Sequence, residues 1–371
     1  MVYPFRFRRC RLPFPIETQE IPIALTWKNS TIVLSKGAQL VVYIHSSGKW
    51  ARNKTSGTPP EDVVGVTAQV INDKMYVITC LDATLVYSLD LNNWTWAYLN
   101  PCGTPPLEDS FGLSSWVYRG NIYCFGGGAG IPGEYNGLFC YNILNNSWEW
   151  PKHKGDVPSP RSYQSTVIVD DIVFLFGGTN ENNKRLNDLY ILNMVNMMWA
   201  RVHNNTSKSV VPSFDGGFHH PTLTIISQSI AMLIVPLKDI STSWTLNLQK
   251  AQQLMDPSSI WTKVHNVLPS GYNHTTLLEP MSQNLWILGS LLESKTISDV
   301  LKIPTTLPTL QLLAIDRAAH TICPHDPKLK LPRRLRKEIE DHTNDIGVEC
   351  LRSKNKYEPE MMSLKQKRLR K

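Results

Sequence analysis

The runs FGLSSW (111–116), NIYCFGGG (121–128), GLFCYNI (137–143) and Trp148 are followed by the same pattern in different residues: YQSTVIV (163–169), IVFLFGG (172–178), NDLYIL (187–192) and Trp199. Each copy has three apolar runs of strand length, paired glycines after the second run, and a tryptophan in a fourth. The second paired glycine precedes the tryptophan by 21 residues in both copies, Gly127 to Trp148 and Gly178 to Trp199, and the copies lie 51 residues apart. Short runs rich in β-branched and aromatic residues, bounded by turn residues, predict strands. A four-strand unit recurring about every 50 residues predicts the blade of a β-propeller.

Upstream, the pattern is worn but traceable. Strand-like runs at 22–34, 38–44 and 49–50 precede Gly57-Thr58-Pro59-Pro60, and runs at 64–71, 74–79, 84–89 and 94–99 precede Gly103-Thr104-Pro105-Pro106. A glycine follows the tryptophan by seven residues three times: Trp50 to Gly57, Trp96 to Gly103, Trp148 to Gly155. These Gly-Pro segments cannot continue a ladder and predict the connections between blades. Downstream, a fifth unit has lost its paired glycines and a sixth its closing tryptophan. Steps of 46, 52, 51 and 62 residues along Trp50, Trp96, Trp148, Trp199 and Trp261 place an insertion near 250–259. The reading is an all-β, six-bladed propeller over 22–307, with blades at 22–56, 61–104, 109–156, 161–204, 216–268 and 271–307. The tryptophans pack between blades. A ring needs every edge paired, so the sixth blade requires an outer strand from elsewhere, with the N-terminal segment as one source. Residues 1–21, broken by Pro4, Pro13 and Pro15, are expected to be irregular.

The chain of 371 residues carries a formal net charge of +7, but 14 Lys/Arg against 8 Asp/Glu fall in 321–371, so +6 of it belongs to the tail. The rest is nearly neutral, which speaks against a nucleic-acid-binding body. The tail, with Tyr357 as its one aromatic, offers no stacking platform. Seven cysteines without metal spacing fit a reducing compartment, cytoplasmic or nuclear. No run of 18 apolar residues predicts a membrane span.

No GxSxG elbow, HExxH or phosphate loop occurs, and the paired glycines precede no helix. A catalytic role, a metal and a cofactor are therefore not expected. Propellers bind ligands where the residues just before each inner strand surround the central depression. Here these include Asp109, Arg161, Tyr163, Asp215, His219 and His274. Arg161 is the one arginine so placed, and its planar fork suits a carboxylate unless a neighbouring Asp takes it. Asp109 and Asp215 would make the mouth acidic and oppose a free carboxylate.

After Pro308 the character changes. TLQLLAIDRAAHTI (309–322) places Leu310, Leu313, Ala314 and Ala318 on one stripe of a helix, with Thr309 as cap. A break at Pro324–Pro327 precedes a second short helix from Pro332. Residues 341–371 read as a basic flexible tail.

The glycine pairs, the loop GAGIPGEYNG (128–137) and the segment PTLQLLA (308–314) resemble the kelch-repeat substrate receptors of cullin-RING ubiquitin ligases, of the cullin-2 type. That resemblance implies three things. Thr309, Leu310, Leu313, Ala314 and Ala318 would form an elongin-binding box, with Ala314 where cysteine is usual. Leu331, Pro332 and Leu335 would lie in a cullin-selecting box, making 308–340 the dock for elongin C, elongin B and cullin-2. The mouth would capture a substrate protein or peptide by a degron, possibly C-terminal. The alternative is a kelch-repeat protein-binding scaffold with no ligase role.

Overall fold

A computed structural model of the chain describes residues 8–17, 23–61, 63, 66–80, 83–106, 110–128, 135–204, 211–212, 220–236, 240–269, 274–279, 283–289 and 296–305. The chain divides into two units, Met1–Thr305 and Thr306–Lys371. The second, with the box-like segments at 308–340 and the tail, lies outside the described residues.

The first unit is a six-bladed β-propeller of antiparallel sheets. Its inner strands are Ile23–Trp27, Val66–Ile71, Ser114–Tyr118, Ser165–Val169, Thr222–Ser227 and His274–Leu278. Each touches the next and the last touches the first, so the ring is closed. In five of the sheets the four antiparallel strands follow one another in chain order. In the fourth blade, Ile172–Thr179 pairs with Ser165–Val169 on one side and Arg185–Asn193 on the other, and Met198–His203 lies outermost. The expected insertion falls between the third and fourth strands of the fifth blade. It forms two short helices, Leu248–Gln252 and Pro257–Ile260, capped by Asn247 and Asp256.

The core is not at the ring's centre but between its blades. Middle strands are apolar on both faces, and six buried clusters occupy the six blade-to-blade junctions. The outer-strand tryptophans explain their spacing there, for each packs back onto the preceding blade. Trp96 lies against Ile32 and Leu40, Trp148 against Ile78 and Val86, Trp199 against Phe125 at 5.0 Å between ring centres, and Trp261 against Phe176 at 5.2 Å. Trp50 does the same across the closing junction, 5.9 Å from Trp286.

Two sequence expectations need correction. The N-terminal segment is not irregular throughout: Arg8–Glu17 is the outermost strand of the sixth blade, antiparallel to Thr296–Pro304. Leu12 and Ile16 are buried against Leu277, Trp286 and Ile297, while Arg11, Pro13, Pro15 and Glu17 face out. The prolines that disguised it are tolerable because an outermost strand has one unpaired edge, and the ladder bulges between Arg11 and Ile16. The second correction concerns the Gly-Pro connections. They do join blades, but the segment bearing the glycine also adds a parallel rung to the next blade's outer strand. Gly57 aligns with Trp96 and Gly155 with Trp199, and Cys102, beside Gly103, bridges to Ser147. A Cβ on these glycines would lie 2.0, 2.5 and 2.2 Å from the carbonyl oxygens of Trp96, Trp148 and Trp199. The glycine therefore serves the tryptophan of the following blade.

Candidate functional site

The starts of all six inner strands converge on a cavity of about 190 Å³ at one mouth of the ring. Blades one to three give it Ile23, Val63, Val66, Gly112 and Leu113; blades four to six give it Tyr163, Gln164, Ser165, His220, Pro221, Thr222, His274 and Thr275. Inner strands are tied to one another by side chains around this axis. Ser165 Oγ accepts from Leu223 N at 2.8 Å, Gln69 Nε2 donates to Ser115 O at 3.0 Å, and Thr67 bonds Ser115. These ties couple neighbouring inner strands, whose first residues and the residues just before them line the cavity.

Tyr163 and His274 both line the cavity. Tyr163 holds a left-handed backbone (φ 57°) and stacks on His220, ring centres 3.9 Å apart and planes within 16°. Gly112 makes that placement possible, since a Cβ there would come within 2.7 Å of the Tyr163 ring. His274 is buried, its Nε2 2.8 Å from Thr222 Oγ1. Asp109, Asp215 and His219 lie outside the described residues.

Arg161 does not have the expected role. Its side chain is fully buried and turns into its own blade. Nη1 donates to Asp188 Oδ1 (2.7 Å) and Gly177 O (2.9 Å), Nη2 to Asp188 Oδ2 (3.1 Å) and Ser159 Oγ (3.1 Å), and Nε to Ser159 O (3.0 Å). Those bonds use all five guanidinium N–H groups, and Tyr190 covers the guanidinium at 5.2 Å. Nothing is left for a ligand carboxylate. Arg161 instead organises the mouth: its carbonyl accepts from Gly127 N at 2.9 Å, and its N–H donates to Tyr135 O at 3.0 Å. This explains one use of the glycine pairs, for a Cβ on Gly126 would lie 2.6 Å from Arg161 O.

Several lining residues escaped the sequence reading. Gln164 is buried between the third and fourth blades, its Nε2 donating to Phe125 O (2.7 Å) and Ser114 Oγ (3.0 Å). Leu113, Val66 and Thr222 carry no signal beyond standing at the start of an inner strand. Arg185 stands near Tyr163 with its Nη1 on Thr179 Oγ1 at 2.6 Å. Burial lowers its pKa, partly offset by the Tyr163 hydroxyl. No group of three His, Cys, Asp or Glu among the described residues could hold a metal ion. No helix among them is long and apolar enough to cross a membrane.

A closed ring of kelch-type blades around such a cavity defines a kelch-repeat propeller, a protein-interaction fold. Residues 33–232 match the KLHDC2/KLHL20/DRC7 Kelch-repeats domain, and the chain belongs to that family. It is 28% identical over 167 residues to Kelch domain-containing protein 10 of Homo sapiens, covering 42% of this chain and 37% of that protein. It is 27% identical over 188 residues to Acyl-CoA-binding domain-containing protein 5 of Arabidopsis thaliana, covering 47% and 28%. These matches span well under half the length of the relatives. Among solved structures, the one titled "Structure of YjhT" superposes with a TM-score of 0.55 over 78% of this chain and 95% of that one, at 13% identity; this likeness is one of fold.

Proposed function

We propose that the protein is the substrate-recognition subunit of a cullin-2 RING ubiquitin ligase, capturing a protein segment at the propeller mouth and docking elongin B and elongin C through 308–340. The observation that carries this reading is the spacing of Leu310, Leu313, Ala314 and Ala318 behind Thr309, placed directly after the last blade's strand Thr296–Pro304. Membership of a kelch-repeat family supports the capture half. In an adaptor groove, Leu310 and Leu313 would each contribute roughly 1.5–3 kcal/mol if fully covered. Leu331, Pro332 and Leu335 would select the cullin. The chain itself does no covalent chemistry; ubiquitin transfer belongs to the RING and its conjugating enzyme. Purified elongin B–C incubated with the full chain tests this: wild type retains elongin C and Leu310→Ser does not, at unchanged Tm. A wild-type chain that retains none, where an established receptor does, contradicts the docking role.

A further inference from the structure

The cavity at the mouth has two unlike sides. Ile23, Val66 and Leu113, from the first three blades, make an aliphatic side, and the last three blades bring the Tyr163–His220 stack, the Thr222–His274 pair, Gln164, Ser165 and Thr275. The polar groups of that pair already answer one another at 2.8 Å. No Asp, Glu, Lys or Arg is among the described lining residues. Arg161, the cation that should have met an anion, is spent on Asp188, Gly177 and Ser159. Arg185 stands near Tyr163, engaged with Thr179, and is not part of the lining. A carboxylate drawn into this space would give up its hydration with no cation among the described lining residues to replace it. An apolar side chain brings no charge to desolvate and would exchange water for aliphatic and ring surfaces, at the cost of leaving Gln164 Oε1 without a partner.

Size narrows the occupant further. At about 190 Å³ the space falls below the roughly 300–1,000 Å³ of small-molecule sites and suits one side chain. Building on the capture reading above, we propose that the mouth takes a single large apolar side chain, aromatic or branched aliphatic, from an extended stretch of a partner protein. That side chain sits between the aliphatic side formed by Ile23 and Val66 and the Tyr163–His220 stack, and the partner's chain terminus plays no part.

The test is a random peptide library screened with the full chain, each selected peptide then made with a free and with an amidated C-terminus. The selected peptides should share one large apolar residue. Amidation should change Kd by less than about twofold, whereas replacing that residue with serine should weaken binding about tenfold or more. Tyr163→Ala should weaken it to the same degree at unchanged Tm, and the capping comparison stands even if that variant folds poorly. Binding that falls about tenfold on amidation, selections without a shared apolar residue, or no binder to a folded chain would each overturn the proposal. Elongin C retention by the same preparation separates the two ideas. A chain that selects apolar peptides but holds no elongin keeps this inference and loses the ligase role. A chain that holds elongin but selects free carboxylates does the reverse.

Discussion

Arg161 and Asp188, 27 residues apart in sequence, form a two-pronged ion pair inside the fourth blade, with Nη1–Oδ1 at 2.7 Å and Nη2–Oδ2 at 3.1 Å. The pair converts what reads as a ligand-binding arginine into a structural one. Because that arginine's backbone also holds Gly127 and Tyr135, the pair sets the shape of the mouth without facing it.

Arg161→Ala should therefore act on stability first. Removing one partner leaves the Asp188 carboxylate buried and unpaired, at a cost of about 3–5 kcal/mol. Urea denaturation of the variant should show that loss, and Asp188→Ala should show a similar one. Unchanged stability with lost peptide binding would return Arg161 to a ligand-contacting role.

The glycines that follow each tryptophan by seven residues should be far less replaceable than glycines in open turns. Gly120 has φ 77° with nothing within 4 Å of a new Cβ, so Gly120→Ala carries the left-handed penalty alone, about 1–2 kcal/mol. Gly155 has φ 90° and would drive its Cβ to 2.2 Å from Trp199 O, so Gly155→Ala should cost a further ~1–3 kcal/mol from overpacking. Thermal melts of the two variants compare them directly; equal costs would mean that the close approach is not what fixes Gly155.

Acid should weaken the fold partly through His203. Its Nε2 accepts from Trp261 Nε1 at 2.9 Å and its Nδ1 faces Asn204 O at 3.1 Å, which defines a neutral ring. Burial lowers its pKa, outweighing the raising effects of the Asn204 carbonyl and Asp188. The unfolded chain thus binds a proton that the folded chain refuses. Stability from this group is full above the unfolded value near 6.5 and is lost as pH falls from there toward the lower folded value. His203→Gln should flatten the fall of ΔG between pH 7.5 and 5.5, by at most about 1.4 kcal/mol per pH unit. His153, lowered by burial as well, remains in both proteins, so the difference reports His203. Parallel pH profiles would count against this assignment.

Burial should also silence three thiols. It pushes Cys80 up to about 12, Cys140 up to about 11 and Cys124 well above its ordinary value. Cys102 is exposed. Iodoacetamide at pH 8 should label Cys102 and spare Cys80, Cys124 and Cys140 until denaturant is added, as read by peptide mass spectrometry. Native labelling of Cys124 would mean that the junction between the second and third blades opens.

The blade count, the period and the packing of the tryptophans were legible because they rest on spacing, and spacing survives erosion of individual residues. The closing strand was harder to read. Cys10, Leu12, Phe14 and Ile16 do alternate with outward residues, but three arginines and two prolines mask that alternation, and its partner strand lies near residue 300. Arg161 shows a different limit. Its position before an inner strand is visible in the sequence, but whether a long side chain reaches outward or folds back depends on Asp188, two strands away. The aliphatic side of the cavity carried no signal because Leu113 and Val66 resemble any other strand residue.

The most direct measurement of the central claim is hydrogen exchange of the full chain with and without elongin B–C. The adaptor account predicts new protection confined to peptides spanning 308–340, absent in Leu310→Ser, with propeller amides unchanged. Exchange across 308–340 that is the same with and without elongin B–C would contradict it.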